Sequence, residues 1–257
     1  MRLFAFSNLM MFFFLILPSY TFSQVNIEKF RKVEDNRDFS GSFELDILSK
    51  IGNVDVTRIN FENHCDYKWK TMNTLLIIRG DYGWKSGKQY ANEALAHLRN
   101  VFRRRANVQP EIFTQIDYNR KRLLLFRGLI GGGLRFNMYK SKKTNLWWGT
   151  AFMLEYERIS IKESANDERV TNVIRWSNYL AMNKSFNEQV YLVWTTYLQP
   201  RINEFKDIRI LSETDLIIRL SKHFSLAISF RMRYDSQPPH GIKLLDTAVK
   251  TGLVLNY

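Results

Sequence analysis

The chain has 257 residues and one cysteine, Cys65, so no internal disulfide can hold it together. Long apolar runs are equally scarce. Beyond the first two dozen residues no segment approaches the roughly 18 apolar residues that a membrane helix requires. The four histidines, His64, His97, His223 and His240, are scattered without metal-ligand spacing, so neither a metal nor a cofactor is expected. Acidic residues are few for a chain this basic: 25 Asp and Glu stand against 38 Lys and Arg, a formal charge of +13. The mean hydropathy of −0.30 would ordinarily argue for a soluble protein. A barrel with a polar lumen escapes that inference, because only every second strand residue must face lipid.

What is present is alternation, and it is clearest at the C-terminal end. Phe224, Leu226, Ile228, Phe230, Met232 and Tyr234 alternate with Ser225, Ala227, Ser229, Arg231, Arg233 and Asp235. After the turn signal Ser236-Gln237-Pro238-Pro239-His240-Gly241 a second run places Leu245, Thr247, Val249, Thr251, Leu253, Leu255 and Tyr257 on one face. A period of two with one apolar face predicts strands. Each run matches the roughly 9–11 residues of a tilted transmembrane strand, and the last residue is an aromatic still in register.

At the other end, Met1-Arg2 precedes an almost wholly apolar stretch from Leu3 to Leu17, and small residues at Thr21 and Ser23 suit cleavage before Gln24. This predicts a secretory signal peptide over 1–23, export through the Sec pathway, and a polar periplasmic lead segment over 24–37. The barrel is then expected over 38–257. The residue directly after the cleavage position is Gln24 and not cysteine, which argues against a lipid-modified N-terminus. In an exported chain with no spanning helix, long alternating strands leave a closed barrel as the way across a bilayer.

Ten further runs read as strands, and with the closing hairpin they predict an all-β, antiparallel, up-and-down transmembrane barrel of about twelve strands. Gly52-Asn53 is a hairpin signal. Residues Ala91 to Arg103 are ambiguous: the composition favours helix by propensity, whereas a strand preserves the hairpin count. In the sixth run Leu124, Phe126, Ile130, Leu134, Phe136 and Met138 are expected to face outward, opposite Arg127, Gly131, Gly133 and Arg135. Gly131-Gly132-Gly133 lacks the following Lys-Ser/Thr of a phosphate loop and reads as a bend or as room for a bulky neighbour. With both termini periplasmic, the segments Lys162 to Arg169, Pro200 to Lys206 and Asp235 to Lys243 become outer loops. Ser221-Lys222 and Asn183 to Asn187 become inner turns. Cys65 shares the parity of Ile59, Phe61 and Tyr67 and should face lipid.

Strong basicity often marks a nucleic-acid partner, but an export signal argues against one here. Basic residues collect instead at turns (Lys68 and Lys70, Arg103 to Arg105, Lys140, Lys142 and Lys143), where anionic lipid headgroups or an anionic solute are the natural counterparts. The polar strand faces assign a lumen lined by Arg127, Arg135, Glu155, Glu157, Arg175, Glu213, Arg231, Arg233, Asp246 and Lys250. Glu155 and Glu157 sit about 7 Å apart on one face. They could serve as paired carboxylates, but Arg127 and Arg135 on the neighbouring strand are expected to neutralise them. His223 and Ser225 share a face, as a base and nucleophile would, yet they sit at a turn on the lumen side with nothing to orient the base, so no catalytic residue is assigned.

Four stretches taken together resemble a known family. They are Lys50-Ile51-Gly52-Asn53-Val54-Asp55, Leu125 to Leu134 with its three glycines, Leu154-Glu155-Tyr156-Glu157, and Arg233-Tyr234-Asp235-Ser236-Gln237-Pro238-Pro239 leading to Asp246 and an aromatic end. Their order and spacing resemble the DUF481 family, described as salt-induced outer-membrane proteins, over nearly all of the mature chain. The resemblance implies a Gram-negative outer-membrane barrel and supplies no activity or catalytic residue. The expected partners are outer-membrane lipids, the barrel-assembly machinery through the C-terminal strand, and a small anionic solute. Two readings of the lumen follow. In one, basic residues line an anion-favouring channel; in the other, the same charges pair and plug a structural or envelope-stress barrel. A lipid-acting enzyme is a distant third.

Overall fold

The structure, a computed structural model, describes residues 38–102, 107–160 and 168–257. The signal peptide, the lead segment, Arg103 to Arg105 and most of Lys162 to Arg169 lie outside the described residues. Twelve strands follow one another: β1 (Phe39–Lys50), β2 (Val56–Lys68), β3 (Met72–Lys85), β4 (Lys88–Phe102), β5 (Val108–Asn119), β6 (Leu124–Lys140), β7 (Thr144–Ile159), β8 (Val170–Ser185), β9 (Val190–Arg201), β10 (Glu204–Arg219), β11 (Phe224–Asp235) and β12 (Leu245–Asn256). Each pairs antiparallel with its sequence neighbours, and β12 returns to β1 to close the barrel. Both described chain ends share one rim, called here the terminal rim.

Alternation decides which way each side chain points, since successive residues of a strand face opposite sides. On β2, Arg58, Asn60, Glu62, His64 and Asp66 are buried inside. Ile59, Phe61, Cys65 and Tyr67 take the outer face. The outer wall carries Ile112, Ile116, Ile130, Phe152, Leu154 and Val249, each at least half exposed. An apolar exterior around a polar interior is the inverse of a soluble protein and marks a bilayer-spanning wall. The Cys65 thiol donates to Asn63 Oδ1 at 3.1 Å, so it satisfies a polar neighbour on that wall. Residues 91–102 are strand, paired with β3 and β5, so tertiary pairing overrides the local helix propensity.

Three local expectations differ. Leu124 points inward and is 1% exposed, because a bulge between Leu124 and Phe126 lets Leu125 and Phe126 both face out. The stretch from Pro200 to Lys206 is not a loop. β9 and β10 are joined by Ile202 and Asn203 alone, and an irregularity between Glu204 and Ile208 absorbs the extra residues. The Gly52-Asn53 signal lies in a five-residue connection, Ile51 to Asp55, in which the Gly52 amide donates to Asp55 Oδ1 at 3.0 Å.

The glycine cluster of β6 serves packing. A Cβ on Gly131 would lie 2.5 Å from the Phe113 ring, and one on Gly133 would lie 2.1 Å from the Thr150 carbonyl oxygen. The first position gives room to a bulky neighbour, and the second lets two backbones approach. Backbone cannot move aside as a side chain can, so Gly133→Val should lower unfolding stability by about 1–3 kcal/mol, the usual cost of overpacking. Urea titration followed by heat-modifiable gel mobility would measure it; an unchanged midpoint would contradict the close approach.

Candidate functional site in the filled lumen

The interior is filled by buried side chains, with groups of ions along its length and an apolar cluster that reaches across it. Toward the rim opposite the termini it is a network of ions. Arg209 on β10 reaches Glu155 at 2.8 Å and Glu157 at 3.0 Å on β7, and Asp235 on β11 at 3.0 Å. Arg127 on β6 contacts Glu157 at 3.1 Å and Glu155 at 3.6 Å. Arg175 on β8 joins Glu155 at 3.2 Å to Asp207 at 2.9 Å, and Arg233 holds Asp235 at 2.8 Å. At the nearby turn, burial and then the neighbouring Arg127 pull the Arg122 guanidinium below its ordinary pKa.

A second group of ions crosses the barrel. Arg79 on β3 meets Glu62 at 3.0 Å and Glu213 on β10 at 2.8 Å. Arg231 on β11 meets the same Glu62 at 2.8 Å and Glu213 at 3.4 Å. β3 and β10 stand five strands apart in a ring of twelve, so these contacts join nearly opposite walls. Arg58 pairs with Asp81, and Ser229 donates to Asp215. Lys250 on β12 bonds Glu44 at 2.6 Å and Asp46 at 2.7 Å on β1, and Asn60 on β2 at 2.6 Å. It therefore ties the last strand to the first.

Toward the terminal rim an apolar cluster joins the walls among further buried polar groups such as Glu44, His64 and Asp66. Leu75 and Ile77 on β3 and Leu95 on β4 pack with Tyr179, Ala181, Tyr197 and Leu211 from β8, β9 and β10. β3 and β9 are diametrically placed, so the walls touch. Val193, Ile217, Ala227 and Val254 form a second cluster beside them. Arg99 is set against the first cluster: its guanidinium lies 4.6 Å from the Phe113 ring centre and pairs with Glu111 at 2.9 Å. Tyr179 also donates to Glu111, at 3.0 Å.

Of the residues assigned to the lumen from the sequence, Arg127, Arg135, Glu155, Glu157, Arg175, Arg231, Arg233 and Lys250 are buried on the inner wall. The Glu213 side chain is 12% exposed within the network, and Asp246 is half-buried near the start of β12. All of them except two fall into three ion-paired groups: Arg127, Glu155, Glu157, Arg175 and Arg233 around Arg209, Glu213 and Arg231 with Arg79, and Lys250 with Glu44 and Asp46. Asp246 joins no ion pair among the described residues. Arg135 does not neutralise Glu155 or Glu157, because it registers with Gly149, whereas Glu155 registers with Leu129. Six residues of strand separate Arg135 from Leu129, roughly 20 Å. Its guanidinium stacks on Trp147 instead, 3.9 Å from the ring centre. His223 is exposed at the terminal rim, and the buried Ser225 hydroxyl accepts from the Asn256 amide at 3.1 Å, so the two make no nucleophile–base pair.

Sequence reasoning missed Arg58, Arg79, Arg99 and Arg209 as network centres, and it missed the apolar cluster altogether. Runs such as Leu75-Leu76-Ile77-Ile78 and Tyr191-Leu192-Val193-Trp194 carried the signal for that cluster, since a continuously apolar strand is one buried on both faces. Among the described residues, eleven buried Lys and Arg face twelve buried Asp and Glu. The interior is therefore balanced, and the excess of basic residues lies outside it.

A closed antiparallel ring with an apolar exterior and a paired interior defines a membrane-spanning β-barrel. The chain belongs to the DUF481 family, described as proteins of unknown function, whose profile matches residues 43–257. Among solved structures the barrel is similar to the NanC porin, at 11% identity and a TM-score of 0.48, covering 84% of this chain and 97% of that one. It is also similar to the translocator domain of the autotransporter NalP from Neisseria meningitidis, at 6% identity and a TM-score of 0.44, covering 85% and 86%. A third is the KdgM porin in complex with disordered oligogalacturonate, at 6% identity and a TM-score of 0.36, covering 85% and 96%. The comparison with curated proteins returns no match.

Removing the centre of the ion network leaves carboxylates buried without their counter-charge. Arg209→Met should therefore lower stability by about 3–5 kcal/mol, the scale for breaking a buried pair on one side. Restoring neutrality in the background Arg209→Met/Glu155→Gln should recover part of that loss. Equal urea midpoints for wild type and R209M would refute the network's role.

Proposed function

We propose that this protein is an outer-membrane barrel that is closed at rest and acts as a structural or envelope-stress component. The observation that carries this reading is contact between opposite walls: the Arg79–Glu213 pair at 2.8 Å among the ions, with the cluster from Leu75 to Leu211 beneath it. Ions that move through a barrel need a continuous wet path or a ring of unpaired charge. The anion-favouring channel expected from composition needs a surplus of lumen cations. The near balance of buried charge removes that support.

The same reading gives the chain a Sec-dependent route to the outer membrane, with its leader and lead segment ahead of the barrel. It gives β12 the task of presenting the terminal strand to the assembly machinery, and it gives the lipid-facing wall its lipid partners. Catalysis has no role in it, and the separated His223 and Ser225 offer no support for a lipid-acting enzyme.

Refolded protein in a planar bilayer should be silent, with heat-modifiable gel mobility reporting a folded barrel. The substitutions Arg79→Ala and Glu213→Ala should leave it silent, because the apolar cluster still blocks the lumen. Adding Tyr179→Ala and Tyr197→Ala should produce conductance. Steady anion-selective steps from the unmodified protein would overturn the closed reading and restore the channel.

A further inference from the structure

The strands that close the barrel are longer than the ladder that joins them. Registered positions run only from Ser42 to Leu45 on β1 and from Leu253 to Asn256 on β12. Yet β1 continues to Lys50, and β12 starts at Leu245. Carried on, the same register would set Ile47 opposite Thr251 and Ser49 opposite Val249. Gly41 and Tyr257 exchange two backbone bonds, so every second residue from them onward turns its N–H and C=O toward the seam. By that alternation Ile47 and Ser49 aim backbone groups at β12, and Thr247 and Thr251 aim theirs at β1. None of these four residues has a strand partner across the seam among the described residues.

The seam is thus parted toward the rim opposite the termini and shut toward the terminal rim. Exposure agrees: Leu48 points inward by parity yet is 42% exposed, and the Asp46 side chain is 27% exposed. Two side chains latch the seam. On the outer face the Tyr257 ring crosses Gly41, where a Cβ would lie 2.3 Å from it. Its hydroxyl accepts from the Asn63 side-chain amide on β2 at 3.1 Å, so the last residue grips past β1 to the strand behind it. On the inner face Lys250 bonds Glu44 at 2.6 Å, Asp46 at 2.7 Å and Asn60 at 2.6 Å. Lys250 lies beyond the last registered pair, so its ammonium bridges the parted half.

Backbone groups left without partners in hydrocarbon are costly, and a bare strand edge is a template for pairing. Two strands that are long enough to finish their ladder, and do not, form an element with two arrangements. We propose that the parted half of the β1–β12 seam is a lateral gate. It passes between the splayed form and a zipped form in which the register continues to Ser49 and Val249. Lys250 favours zipping, because its ammonium draws Glu44 and Asp46 of β1 toward β12. Tyr257 holds the other half shut in both forms and so acts as the hinge. Splayed, the gate opens the wall sideways and exposes Asp46 and Leu48. It is a property of the wall, so it stands or falls separately from the filled lumen.

Cysteine trapping in the refolded full chain, in a Cys65→Ser background, tests it. Residues that exchange backbone bonds across an antiparallel pair lie about 5.5 Å apart at Cα, which a disulfide can span. Phe43→Cys with Leu255→Cys lies in the ladder and serves as the reference. Ile47→Cys with Thr251→Cys lies in the gate. Oxidation by copper-phenanthroline is read as the mobility shift of the unfolded, non-reduced chain. The gate pair should close completely but about tenfold or more slowly than the reference, as a minor zipped form of about 10% or less requires. Lys250→Gln should slow the gate pair further and leave the reference rate unchanged. If that variant does not fold, the two cysteine pairs in the Lys250 chain still decide whether the seam moves. A gate pair that closes at the reference rate would mean a seam always zipped, and one that never closes a seam always splayed. Either result, or an unchanged gate rate in a folded K250Q, would overturn the proposal.

Discussion

In hydrocarbon a backbone N–H or C=O has no water to bond, so a spanning chain without helices must pair every strand and return the last to the first. In this protein β12 meets β1 over Ser42 to Leu45 and Leu253 to Asn256, and Gly41 and Tyr257 exchange two further backbone bonds of 3.1 and 3.0 Å. That ladder is short beside the twelve registered positions that join β1 to β2. Lys250 reinforces it from inside by holding Glu44 and Asp46, whose carboxylates lie against Gly252. An added Cβ at Gly252 would lie 2.6 Å from Glu44 and 2.8 Å from Asp46. Closure of the sheet and pairing of the lumen charges are thus parts of one arrangement.

Once the ring is closed, the inward residues have to satisfy one another. A desolvated carboxylate or guanidinium is costly unless paired, and the interior answers with shared partners: Glu62 and Glu213 each serve both Arg79 and Arg231. Such a network fixes geometry more than it adds stability. The cluster of Leu75, Ile77, Tyr179 and Tyr197 supplies the ordinary hydrophobic term on the other side. An open pore would surround these groups with water and forgo both.

The strands were legible because a lipid-facing wall imposes a strict period of two, as on β11 from Phe224 to Tyr234. Inward parity was equally legible for Arg127, Glu155, Glu157, Arg175 and Arg231. Partnership was not. The Arg79–Glu213 contact depends on how nearly opposite walls approach, and no spacing along the chain encodes that distance. Bulges were hidden for a related reason: the inward turn of Leu124 and the two-residue connection at Ile202-Asn203 follow from register against neighbouring strands. Composition misled in one respect, since the net charge of +13 described the rims and not the lumen.

The account rests on a dry, filled interior, and thiol accessibility tests that most directly. In a Cys65→Ser background, single cysteines at Ala181 in the apolar cluster and Ser229 among the ions would be exposed to a charged, membrane-impermeant thiol reagent. An exposed control would be placed at Lys243. A filled lumen predicts rapid labelling at Lys243 and labelling of Ala181→Cys and Ser229→Cys only after unfolding. Labelling of either interior position in the folded barrel at the rate of the control would mean that water and solute pass where this account places packed side chains.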